Sequence, residues 1–138
     1  MSNITFTMVK PEAVEAKNAG AIFNRIENAG FRIVALKKVH LNASKAADFY
    51  AVHKQRPFYQ ELIDYMSSGP IIAAILEKEN AVSDFRKLIG ATNPANAEAG
   101  TIRADFAESM AKNAVHGSDS DENAKIEADF HFTKEERF

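Results

Sequence analysis

Six consecutive apolar residues, Ile71 to Leu76, stand between Pro70 and Glu77, and no uninterrupted apolar run in the chain is longer. A membrane-spanning helix needs about 20 such residues, so this run cannot cross a bilayer. Its length suits a short, fully apolar strand. The flanking chain supplies the rest of a layered fold. Ile4, Phe6 and Met8 alternate with Thr5 and Thr7, a period of two that predicts a strand ending at Lys10-Pro11. Ile22, Phe23, Ile26 and Ala29 recur at helical spacing, and Gly30 is a natural stop. Phe31 to Leu41 is rich in β-branched and aliphatic residues and predicts a second strand. Asn42 and Ser44 are candidate caps for a short helix through Phe49 and Tyr50.

Arg56-Pro57-Phe58 opens the next predicted helix, with Pro57 in its first turn and Phe58, Leu62, Tyr65 and Met66 as its stripe. Val82, Phe85 and Ile89 mark another helix, closed by Gly90. Residues 91 to 112 are less regular, with one helical turn expected around Asp105 to Met110, and a loop of that length is usually functional. A short fourth strand around His116, a helix from Ser120 through Ile126 and a polar tail from Thr133 to Arg137 complete the order. Four strands with helices to one side predict an α+β, ferredoxin-like βαββαβ sandwich. Its four-stranded antiparallel sheet would have the long loop before the strand of His116.

Composition narrows the function classes. At 138 residues the chain is read as one domain, 1–138, able to fold without a metal or disulfide. It has no cysteine, which excludes thiolate chemistry. Its 17 basic against 19 acidic side chains leave no footprint for wrapping nucleic acid, so no specific nucleic acid is expected. MSNITFTMVKP lacks the layout of a signal peptide, and a cytoplasmic location with no membrane association is expected.

His116 leads the chemical candidates because Gly117, Ser118 and Asp119 follow it, small or polar residues that let a ligand approach the backbone. Glu127 could bond one ring nitrogen and leave the other as nucleophile or base. Spacing alone leaves a surface or capping histidine as the alternative. Lys10, Arg86 and Arg103 are cations far apart in sequence that folding could converge on a polyphosphate; taken singly, each reads as a solvated surface charge. Phe58 is core or a stacking platform for a base. No His, Asp and Glu cluster has metal-ligand spacing, and no Walker A or Gly-x-Gly fingerprint is present.

Asn113-Ala-Val-His116-Gly117-Ser118-Asp119 resembles the Asn-x-x-His-Gly-Ser-Asp signature of the nucleoside diphosphate kinases. Four further segments agree in order: Thr7-Met-Val-Lys10-Pro11-Glu12; Tyr50 through Arg56-Pro57-Phe58 with Met66-x-Ser68-Gly69-Pro70; Arg86-x-x-Ile89-Gly90-Ala91-Thr92-Asn93-Pro94; and Gly100-Thr101-Ile102-Arg103. The resemblance covers residues 3 to 127. It implies γ-phosphoryl transfer from a nucleoside triphosphate, mainly ATP, to nucleoside diphosphates, in two half-reactions through a phosphohistidine, maintaining NTP and dNTP pools. By this resemblance His116 is the nucleophile through Nδ1, oriented by Glu127 and Ser118. Lys10, Tyr50, Arg86, Thr92 and Arg103 would hold the phosphates, Lys10 and Asn113 would contact the sugar, and Phe58 would stack on any base. Mg²⁺ would arrive on the nucleotide phosphates, with no metal held by the protein. The loop around Pro94 would cover the cleft and help form a homo-oligomer, a tetramer or hexamer.

The departures from the family lie elsewhere. Phe85 stands where a polar residue is common, and Ala128-Asp129-Phe130-His131-Phe132 replaces a strongly apolar stretch. The chain stops at Phe138, the short C-terminus of bacterial-type members. Two other classes compete: a nucleotide-binding regulatory domain without turnover, and a DNA-binding domain. The complete set of His116, Lys10, Tyr50, Arg86, Thr92, Arg103, Asn113 and Glu127 favours the enzyme.

Overall fold

The strand expected from Ile4, Phe6 and Met8 forms as β1 (Ile4–Val9) in the computed structural model, which describes residues 3–138. Met1 and Ser2, the start of the segment read for a signal peptide, lie outside the described residues. The order continues α1 (Pro11–Glu15), α2 (Ala19–Asn28), β2 (Arg32–Val39), α3 (Ala43–Phe49), α4 (Tyr59–Met66), β3 (Ile71–Glu77) and α5 (Ala81–Ile89). It closes with α6 (Ile102–Phe106), β4 (Val115–Gly117) and α7 (Asp121–His131). The sheet runs β2-β3-β1-β4 with every pairing antiparallel, the ferredoxin-like plan with α3 and α4 inserted between β2 and β3.

Helices cover both faces of the sheet, not one as expected. Phe6, Met8, Ala73 and Ile75 pack with Ala46, Ile63, Met66 and Ala128 on one side. Val9, Ala74 and Leu76 pack with Ile22, Ile26, Phe85 and Ile102 on the other. Burial from two sides is why β3 is apolar from Ile71 through Leu76. The alternation in β1 misled because Thr5 and Thr7 face a covered side and are fully buried. Thr7 is accommodated by donating its hydroxyl to the His116 carbonyl, 2.7 Å. Phe85, fully buried and edge-on to Phe31 at 5.6 Å, anchors α5, and its truncation to alanine would cost about 3–5 kcal/mol.

Local boundaries differ from expectation for identifiable reasons. Pro57 precedes α4 and does not sit in its first turn, because the Tyr59 amide turns back onto the Arg56 carbonyl and Phe58 becomes the N-cap. The stripe is correspondingly shifted, with Ile63 and Met66 buried and Phe58 exposed. Of the two candidate caps of α3, Asn42 is the one used, accepting from the Lys45 amide at 2.8 Å. The helical turn expected around Asp105 to Met110 lies earlier, as α6, because Thr101 caps it through the Ala104 amide. α7 runs five residues past Ile126, since Ala124, Ala128 and His131 continue a buried stripe at helical spacing. The polar tail folds back as a 3₁₀ turn over Lys134–Glu136, and the Phe138 amide bonds Val34 of β2. Among the described residues no helix is long and apolar enough to cross a membrane.

Candidate active site

β4 is an edge strand of three residues, and the antiparallel register sets His116 opposite Met8 of β1. Two features shape this short ladder. Ala114, fully buried, takes φ 75°, a left-handed conformation that costs a non-glycine residue about 1–3 kcal/mol and marks a constrained site. Gly117 lies so close to α5 that a Cβ there would stand 2.8 Å from Ile89 Cδ1 and 3.2 Å from the Phe85 ring. Only glycine permits that approach.

His116 Nε2 lies 2.8 Å from Glu127 Oε1, and Ser118 Oγ donates to the same oxygen at 2.6 Å. Ser118 is itself fixed, its Oγ accepting from the Phe6 amide at 3.2 Å. An ionised carboxylate only accepts, so Nε2 carries the proton and Nδ1 keeps its lone pair. The rings of Phe49 and Phe6 stand 5.7 and 6.0 Å from the imidazole and limit its rotation.

A second group of side chains gathers around a cleft of about 230 Å³ lined by Arg86, Gly90, Thr92, Arg103 and Gly117. Arg103 reaches it from α6, donating to the Gly90 carbonyl at 3.0 Å and to Val115, beside His116, at 2.9 Å. Gly90 makes this possible: it takes φ 87°, and a Cβ there would lie 2.6 Å from Thr101 Oγ1 in the cap of α6. Burial, then the neighbouring Arg86, bring the Arg103 guanidinium down to about 10. Lys10 Nζ donates to Asn113 Oδ1 at 2.8 Å, and Asn113 Nδ2 donates to the Thr92 carbonyl at 3.3 Å. Burial and then Arg103 lower the Lys10 ammonium to about 8, partly opposed by Glu12. Two depressed cations side by side form a place poised for an anion. Tyr50 is buried, and desolvation followed by the Glu127 charge pushes its hydroxyl above the usual range.

The family model described as nucleoside diphosphate kinase matches residues 3–137. The nucleoside diphosphate kinase of Flavobacterium psychrophilum is 59% identical over 137 residues, covering 99% of each chain. The chain belongs to the nucleoside diphosphate kinase family. That of Campylobacter jejuni is 56% identical over 132 residues, 96% of each. Among solved structures, the Aquifex aeolicus enzyme superposes with TM-score 0.97 at 43% identity over 99% of both chains. The Halobacterium salinarum enzyme in complex with CDP gives 0.95 at 33% identity, over 100% of this chain and 92% of that one. The activity of the chain is therefore phosphoryl transfer from nucleoside triphosphates to nucleoside diphosphates, which throughout the family runs as a ping-pong reaction through a phosphohistidine.

Against that membership, the structure joins most of the residues singled out by sequence. His116, Ser118 and Glu127 are bonded directly. Lys10, Asn113 and Thr92 form a chain, and Arg86, Thr92 and Arg103 share one cleft. Phe58 lies apart from these groups, 46% exposed, with its ring 5.7 Å from His53. Sequence reasoning missed Thr7 and the pair Glu12–Tyr65, whose phenol donates to the carboxylate. A threonine on a strand with both faces covered was the available signal for Thr7. Glu12 lay inside a quoted motif, but nothing in sequence pointed to Tyr65 as its partner.

Proposed function

We propose that His116 is the residue phosphorylated and that the cleft beside it holds the nucleotide phosphates. The observation that carries this is the Nε2 grip: Glu127, steadied by the Ser118 hydroxyl, takes Nε2 and leaves Nδ1 as the nucleophile. Nδ1 attacks the γ-phosphorus in line. A P–N bond forms as the bond to the β–γ bridging oxygen breaks, and that oxygen leaves with the electron pair on the nucleoside diphosphate. The acceptor's β-phosphate oxygen then displaces the imidazole by the reverse route.

Arg86, Arg103, Thr92 and Lys10 bind the phosphates and offset charge as it develops, and losing one such donor would cost about 3 kcal/mol of transition-state stabilisation. Of four buried side-chain atoms without a partner among the described residues, two, the Tyr50 hydroxyl and Arg103 Nε, belong to residues read as phosphate ligands and support a phosphate-bearing occupant. Lys10 with Asn113 contacts the sugar, and the exposed Phe58 ring stacks on the base without reading its edges, so substrates range over ATP and other NTPs and NDPs. The complex of the Halobacterium relative with CDP supports nucleotide binding at this fold.

The lining of the cleft offers the guanidinium groups of Arg86 and Arg103 and the Thr92 hydroxyl, donors suited to phosphate oxygens. Mg²⁺ is read as arriving on the nucleotide, as the family resemblance implies, and the donors that line the cleft would hold the phosphates that carry it. Bound there, it would supply positive charge to offset the charge developing on the phosphates, alongside Arg86, Arg103 and Lys10. The reading extends to one catalytic domain over 1–138, acting in the cytoplasm as a homo-oligomer, a tetramer or hexamer, as expected from the family.

Intact-mass measurement after brief exposure to ATP and Mg²⁺ without acceptor tests the site. One acid-labile phosphoryl group should appear, and it should disappear as added GDP becomes GTP. His116→Ala should bind nucleotide and gain nothing. Turnover retained in that variant would refute the assignment.

A further inference from the structure

We infer that Arg25 is a positioning residue: from α2 it grips both ends of α6 and so holds the Arg103 guanidinium in the phosphate cleft. The inference rests on the reading of Arg103 as a phosphate ligand. α6 has five residues, little more than one helical turn, and a helix that short is not stable by itself. Its orientation comes from its anchors. Ile102 is fully buried in the core that it shares with Ile22 and Ile26 of α2. The remaining ties to α2 meet on one side chain. Arg25 Nη1 donates to the Gly100 carbonyl at 3.1 Å, one residue before the Thr101 cap. Its Nη2 donates to the Asp105 carboxylate, and its Cζ stands 5.3 Å from the centroid of the Phe106 ring.

Helical geometry turns this grip into a direction. Successive residues step about 100° round the axis, so Asp105 stands about 200° from Arg103, almost on the opposite side. Drawing Asp105 and Phe106 onto Arg25 therefore sets the rotation of α6 that sends Arg103 toward Gly90 and Val115, whose carbonyls it meets at 3.0 and 2.9 Å. The Gly100 contact fixes the start of the same turn, beside the Thr101 hydroxyl that caps it and donates to the Glu98 carbonyl at 2.7 Å. Arginine suits the task because its planar fork donates along two directions while its face lies on a ring. A lysine ammonium keeps the charge and has no planar face to lay there.

The test is a double-mutant cycle on the full chain, read by melting temperature and by kcat/KM for the nucleotide. The Arg25 and Asp105 side chains are 35% and 37% exposed, so Arg25→Ala should fold and melt within about 5 °C of the parent. Its kcat/KM should fall about tenfold, because the cleft keeps a misplaced Arg103. Arg103→Ala alone should lose about a hundredfold. Adding Arg25→Ala to Arg103→Ala should change kcat/KM by less than about twofold, since no guanidinium is left to position. Arg25→Lys, taken through the same cycle, should show the same pattern with a smaller loss. A merely structural grip would lower both backgrounds alike. Parent-like kcat/KM in Arg25→Ala, or an equal loss in both backgrounds, overturns the inference alone. Parent-like kcat/KM in Arg103→Ala overturns the reading of Arg103 and the inference with it.

Discussion

Replacing His131 by phenylalanine should make the fold markedly less sensitive to acid. His131 ends α7, is only 8% exposed and stacks on Phe6 at 5.0 Å with the rings 10° from parallel. Its Nε2 is buried without a partner among the described residues. Burial first, then the charges of Lys37 and His116, with a smaller push from Lys45 and an opposing pull from Glu127, bring its pKa from 6.5 to about 4. The unfolded chain takes up this proton near 6.5 and the folded chain only near 4, so the unfolded state binds more protons between them. The stabilisation is complete above pH 6.5 and is lost as pH falls through 4. A shift of this size corresponds to about 3 kcal/mol, at about 1.4 kcal/mol per unit. For a domain of this length that is roughly 10 °C in melting temperature. Thermal unfolding by circular dichroism from pH 7.5 to 4 should show both proteins losing stability as other carboxylates protonate, and the parent losing roughly 10 °C more. At pH 7.5 His131→Phe should melt no lower than the parent, because phenylalanine keeps the stacking and removes an unsatisfied nitrogen. Parallel curves across the whole range would show that the ring meets water, and the reasoning fails.

Phe58→Ala should leave the melting temperature nearly unchanged, since the ring is 46% exposed, while weakening nucleotide binding by about 1–3 kcal/mol for every base. Calorimetric titration with purine and pyrimidine diphosphates checks this, and a loss confined to one base would show edge recognition. Gly117→Ala should cost about 1–3 kcal/mol in chemical denaturation, because the new methyl meets Ile89 and Phe85 beneath β4. An unchanged midpoint would mean that α5 yields freely.

Periodicity and turn chemistry carried most of the fold, because β1, β3, α2 and α5 each bury a regular stripe between clear stops. α1 escaped notice because five residues after a proline are too few to show a period. The two-sided burial of the sheet was hidden by Thr5 and Thr7, whose polarity suggested water where the structure has packed helices. The extension of α7 was masked by Asp129, which faces solvent and pairs with Lys125 and Arg137. At the site, His116 and Ser118 were legible through the resemblance of the Asn113 to Asp119 segment to the family signature, with Glu127 named as the partner of one ring nitrogen, and the three are bonded in the structure. Glu12 with Tyr65 was not, because their meeting depends on how α4 docks against the start of α1, 53 residues away in sequence.

The short ladder under His116 bears on the direction of catalysis. Its carbonyl is bonded by Thr7, its register is locked to Met8, and its ring is bonded at Nε2 by Glu127 and flanked by Phe49 and Phe6. If His116 is the residue phosphorylated, as proposed, a phosphoryl group at Nδ1 would break none of these hydrogen bonds. A site held in this way would work as a fixed transfer station whose traffic follows the relative abundance of the nucleotides on either side. Net flux is set by mass action in the surrounding pool, and the protein contributes only the speed at which that pool reaches balance.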